Sequence, residues 1–104
     1  ANHWTDQDVR DALRGRSVMA HRIIYCEVGR SGEYDPYAVG AQGEIGPGQL
    51  LPGPGNGLSM FFRLGWTDPN SPHQVVEWLT WLEQRPGMIA QQYPRTSRGC
   101  EGSP

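Results

Sequence analysis

The stretch from Cys26 to Pro52 restricts this chain more than any other. Glycine recurs at positions 29, 32, 40, 43, 46 and 48, and proline stands at 36, 47 and 52. Glycine loses the most backbone entropy on ordering and proline lacks a backbone donor, so no long helix or central strand runs through such a segment. Just before it lies the apolar run Ile23-Ile24-Tyr25-Cys26, closed by Glu27. The reading is an apolar helix ended by a carboxylate, a glycine-rich loop, and a return to a second short helix. Burial beside the apolar run and a place at the negative end of the helix dipole both favour the protonated form of Glu27, which makes it a candidate proton donor near neutral pH.

A chain of 104 residues supports one core, and the expectation is a single domain over 1–104. Mean hydropathy is -0.61 and 37% of residues are hydrophobic, so the core must be compact. Four Trp, four Tyr and two Phe supply large buried areas that offset 14 glycines and 9 prolines. All nine basic residues are arginine, and against eleven acids they leave a net charge of -2. That balance argues against nucleic acid as a partner. No apolar run is long enough to span a bilayer, and Ala1-Asn2-His3-Trp4 lacks the apolar core of a signal peptide. The expectation is a soluble chain with no membrane insertion, either cytosolic or a mature exported form.

Cys26 and Cys100 are far apart in sequence. A bridge between them would tie the polar tail, 94–104, to the residue beside Glu27, and closing so long a loop would contribute about 4 kcal/mol in the chain-entropy model. The alternative is two unpaired thiols, and an oxidising compartment would decide for the bridge. His3, His21 and His73 show no ligand spacing with one another or with the cysteines, so no metal is expected. Pro52-Gly53-Pro54-Gly55-Asn56-Gly57 is turn, and no Gly-Lys-Ser/Thr follows it, which removes a phosphate loop. No cofactor is expected.

Local signals predict helices throughout. Thr5 caps a helix from Asp6 to Arg14, with Asp8 completing a capping box and Trp4 and Val9 forming a hydrophobic staple. Ser17 caps a second helix carrying Val18, Met19, Ile23, Ile24 and Cys26 and ending near Gly29. A short helical piece is expected from Pro47 to Leu51. Leu58 to Leu64 reads as a helix with Met60, Phe61 and Phe62 in the core. Ser71 and Pro72 start a longer helix in which Val75, Val76, Trp78, Leu79 and Leu82 keep helical spacing until Arg85-Pro86-Gly87 stops it. A last turn runs from Met88 to Tyr93. No strand pattern is present, and the fold class is all-α. Trp78 and Trp81 read as core, and His73 as a surface residue of a first turn.

The run from Tyr34 to Pro52 resembles the signature of soluble lytic transglycosylases and the wider lysozyme-like superfamily, F-x-P-x-A-V-S-x-x-G-A-x-G-L-M-Q-L-x-P after a catalytic Glu-Ser. Tyr34 stands for the aromatic, and Pro36, Ala38, Val39, Gly43, Gly46, Gln49, Leu50 and Pro52 fall at the family's spacing. Asp68-Pro69-Asn70-Ser71-Pro72 is similar to the family's D-P-x-x-P turn. Val28 replaces the serine after the acid, Glu44 stands where the family often has alanine, and Pro47-Gly48 replaces Leu-Met. The late A-Y-N-A-G segment has Ala90-Gln91-Gln92-Tyr93-Pro94 as its nearest counterpart.

The resemblance implies a small lysozyme-like helical domain with long glycine-rich loops around a glycan-binding cleft. It implies cleavage of the β-1,4 bond between N-acetylmuramic acid and N-acetylglucosamine, with Glu27 as general acid and then base. Lytic transglycosylases use the sugar's own 6-hydroxyl and leave an anhydro product, whereas hydrolases add a second carboxylate. Glu44, Glu33 and Asp35 are available for that role, in that order. Tyr34, Gly43, Glu44, Gly46, Gln49 and Tyr93 are the expected substrate-binding residues: glycines for close approach to a sugar ring, Gln49 for donors and acceptors, Tyr93 as cleft wall. Peptidoglycan strands are then the partner, a monomer in the periplasm, cell wall or extracellular space is the expected setting, and a glycan-binding module without turnover is the competing class.

Overall fold

The computed structural model describes residues 5–12, 14, 18–29 and 35–94. Helix α1 spans Asp6–Ala12. Its start is the expected capping box: the Thr5 amide donates to Asp8 Oδ2 at 2.9 Å and the Asp8 amide donates to Thr5 Oγ1 at 3.1 Å. The Trp4–Val9 staple and the Ser17 cap lie outside what is described. Helix α2 spans Val18–Ile24 and runs directly into a π-helical turn, Tyr25–Gly29. Ala20, Ile23, Ile24 and Cys26 are buried along it, and Glu27 sits in the π turn, half-buried.

Helix α3 spans Gly57–Arg63, and Gly65 with φ 108° follows its end. Phe61 is fully buried, whereas Phe62 is 47% exposed and is not a core residue. Adjacent helical positions point about 100° apart, so a seven-residue helix turns only one of the two phenyl rings inward.

Helix α4 spans Pro72–Glu83 and is the centre of the molecule. Ser71 Oγ accepts from the Gln74 amide at 3.2 Å, and Pro72 occupies the first turn, where its missing donor costs nothing. Val75, Val76, Trp78, Leu79 and Leu82 are almost completely buried, with α1, α2 and α5 (Met88–Gln92) packed against the helix. Trp78 meets Phe61 edge-on at 6.0 Å and stacks on Trp81 at 6.3 Å, while Trp66 stacks on Phe61 at 5.6 Å. Arg85 closes the helix: it donates to the Trp81 carbonyl at 2.7 Å, and its guanidinium carbon lies 3.8 Å over the Trp81 ring.

Among the described residues only isolated antiparallel bridges occur, Val39 with Ile45 and Ile45 with Leu50, so the domain is all-α. The expected helical piece from Pro47 to Leu51 is instead a tight turn. Gly46 and Gln49 take φ 77° and 47°, outside the right-handed helical region, and the Gln49 amide donates back to Gly46 O at 3.0 Å. Ile45 exchanges both backbone hydrogen bonds with Leu50, at 3.0 and 2.9 Å. Asp35 Oδ1 accepts from the Tyr37 amide at 2.8 Å, making a turn of this acid. No helix among the described residues is long and apolar enough to cross a membrane.

Candidate functional site

The loop from 35 to 56 is held down at three places. Asn70 Nδ2 donates to Pro36 O at 2.9 Å, Leu58 N donates to Leu51 O at 3.0 Å, and Tyr93 Oη donates to Gly48 O at 2.8 Å. Gly46 makes the tightest approach. It is buried, and a Cβ there would collide with the Pro69 carbonyl oxygen. So fastened, the loop stands opposite the π turn.

Between them is a cleft of about 370 Å³ lined by Glu27, Glu44, Gln49, Leu51, Gln92, Tyr93 and Pro94. Glu27, Tyr93 and the loop pair Glu44 and Gln49 come from three separate stretches of the sequence and meet here. Gly43 and Gly46 do not line the cleft: the first is half-buried in the loop, and the second serves the contact with Pro69. Tyr34, Glu33 and Ser31 lie outside the described residues, as does Cys100 of the expected bridge; Cys26 is buried, 2% exposed.

The chemistry available at each side chain follows from its partners. Glu44 is half-buried and its Oε1 accepts from the Gln42 amide at 2.7 Å, which holds the carboxylate in the loop. Gln49 is the one non-glycine residue with positive φ among those described. Such a backbone costs about 1–2 kcal/mol and is found where the surroundings over-determine it. Here the Gln49 side-chain nitrogen Nε2 donates to both Ala38 O, at 3.1 Å, and Gly46 O, at 2.9 Å. Both its donors are therefore spent within the fold, and Oε1 is the atom left for a ligand. Gly40 makes room for this arrangement, since a Cβ there would stand 2.6 Å from Glu44 Oε1 and 2.7 Å from Gln49 Oε1.

Tyr93 is 5% exposed, and its hydroxyl accepts from Trp78 Nε1 at 3.3 Å while donating to Gly48. Burial pushes the phenol well above its usual value of 10.0; the Trp78 hydrogen bond works against this, and the negative charge of Glu27 adds to it. Tyr93 is thus a fixed neutral wall of the cleft within electrostatic reach of Glu27.

A second cavity of about 260 Å³ adjoins the first and shares Gln49, Leu51, Gln92 and Tyr93 with it. Gln91, Gln92 and Asn56 of this wall are not among the site residues expected from the sequence. The available signal was the pair of amides directly before Tyr93. No group of three or more His, Cys, Asp or Glu residues among those described is placed to hold a metal ion.

The fold and the site define a small all-α domain with two carboxylates facing an amide-lined cleft. No family model, curated protein or solved structure matches this chain.

Proposed function

We propose that this chain cleaves peptidoglycan, cutting between N-acetylmuramic acid and N-acetylglucosamine with Glu27 as general acid and then general base. The observation that carries the reading is the meeting of Glu27, Glu44, Gln49 and Tyr93 around one cleft. Breaking a glycosidic bond needs an acid for the leaving oxygen and either a second carboxylate or a group of the sugar itself to complete the displacement. Glu27 is half-buried in a π turn, a form of helix often found at functional positions. Glu44 faces the same cleft and is the candidate to orient a water, while Gln49 Oε1 is an acceptor for a hydroxyl or acetamido hydrogen. In this reading the domain is lysozyme-like and the loop from 35 to 56 is one wall of the glycan cleft. The protein works without a cofactor, as a monomer, in the periplasm or cell wall, with Cys26 and Cys100 bridged.

Turbidity of purified cell walls tests it. The native protein should clear the suspension and Glu27→Gln should lower the rate by about two orders of magnitude or more; equal clearing by both would remove Glu27 from the reaction. Mass spectrometry of the fragments then separates anhydro from reducing ends, and loss of the reducing product in Glu44→Gln would assign the water to Glu44. A second reading, a glycan-binding module without turnover, is favoured by the spending of Gln49's donors and Tyr93's hydroxyl inside the fold. Binding of glycan fragments by a native protein that releases none would decide for it.

A further inference from the structure

The second cavity offers hydrogen bonds without charge. Its polar lining comes from Gln49, Asn56, Gln91 and Gln92, and its apolar lining includes Leu50 and Leu51. Among the described residues Tyr93 is its only ionisable side chain, and that hydroxyl is committed to Gly48 and Trp78. Asn56 Nδ2 donates to Pro52 O at 2.8 Å and Gln49 Nε2 is bound within the loop, so both residues present acceptors. The side-chain amides of Gln91 and Gln92 have no hydrogen-bond partner among the described residues. Donors and acceptors therefore stand open side by side.

We infer that this cavity is a recognition pocket for an uncharged amide, an acetamido group or a peptide amide, carried by the chain bound in the neighbouring cleft. An amide brings one donor and one acceptor, which Gln91 and Gln92 match, and its methyl or methylene groups fit against Leu51. A carboxylate or an ammonium entering the same space would lose hydration and meet no opposite charge among the described lining residues. At about 260 Å³ the pocket suits a substituent or a single residue rather than a whole oligomer. The shared lining by Gln92 and Tyr93 lets one ligand reach from the pocket to Glu27. The inference rests on the glycan-cleaving reading of the larger cleft and names what that substrate carries.

The test is binding to the Glu27→Gln protein, which removes turnover from the measurement. Tri-N-acetylchitotriose should bind about tenfold more tightly than cellotriose, which has hydroxyls in place of acetamido groups. It should also shift the side-chain amide resonances of Gln91 and Gln92. Gln92→Leu, and separately Gln91→Leu at an exposed position where folding is not at stake, should bring the two sugars within about twofold of each other. Resonance shifts with a neutral N-acetylated dialanine amide and not with the trisaccharide would support the pocket and assign its amide to peptide. No shift with any probe, or an unchanged sugar preference in both leucine variants, overturns it. Wall clearing is scored separately with the native protein: a preference for acetamido sugars without clearing retains the pocket and removes the catalytic reading, whereas clearing without that preference does the reverse.

Discussion

The hydroxyl of Tyr93 donates to Gly48 O and accepts from Trp78 Nε1, so a single oxygen links α4, the end of α5 and the central loop. Replacing it, as in Tyr93→Phe, leaves a buried carbonyl and a buried indole N–H unpaired and should cost about 1–3 kcal/mol in urea denaturation. The pH dependence has a definite sign. The folded phenol titrates above the 10.0 of the free side chain, so its contribution is complete below pH 10.0 and declines as pH rises beyond it, where only the unfolded chain ionises. Native protein should therefore lose stability between about pH 9 and pH 11 more steeply than Tyr93→Phe, read from denaturation midpoints at the two values. Equal losses would mean that this phenol is not the group responsible. Tyr93 was legible as a cleft residue from the segment around it. Its bond to Gly48 was not, because the two are 45 positions apart and nothing local encodes that meeting.

At the scale of elements, helices with strong local signals are the ones the sequence describes well. The Thr5–Asp8 box, the Ser71 cap with Pro72, and the stop at Arg85-Pro86-Gly87 involve neighbours a few positions apart, and each works as local chemistry dictates. The segment from Pro47 to Leu51 had only a favourable proline to suggest a helix. It forms a turn because Ile45 pairs with Leu50 and the Tyr93 hydroxyl takes Gly48 O, interactions made by the loop as a whole. Gly46 is where that loop meets the 68–71 turn, so Gly46→Ala must bear both a left-handed backbone and a collision with the Pro69 carbonyl. Thermal or urea unfolding should show a loss of about 3 kcal/mol or more. Gly43→Ala is the control: its φ is also positive, at 86°, but a Cβ meets only Pro52 Cγ at an ordinary 3.6 Å, so about 1–2 kcal/mol is expected. Similar losses at the two sites would show that close packing at Gly46 contributes little.

Over the whole molecule, the core is a set of aromatic and aliphatic side chains gathered on α4, with the cleft at the edge where the π turn faces the loop. The proposed Cys26–Cys100 bridge would add a long-range constraint beside Glu27. If it forms, reductant should lower the melting temperature by more than about 10 °C, from roughly 4 kcal/mol of loop-closure entropy. An unchanged melting curve with two titratable thiols would identify both cysteines as reduced. The all-α class, the Thr5 and Ser71 caps, the long central helix and the core positions of α4 were determined by the sequence alone, because helical periodicity, proline and capping side chains act over one or two turns. The tertiary structure decided the π turn under Glu27, the left-handed backbone of Gln49, and the meeting of Glu27, Glu44, Gln49 and Tyr93. The last of these depends on contacts between separate segments, the Gln49 side chain with Ala38 O and the Tyr93 hydroxyl with Gly48 O, and such pairings exist only once the loop has closed against α4 and α5.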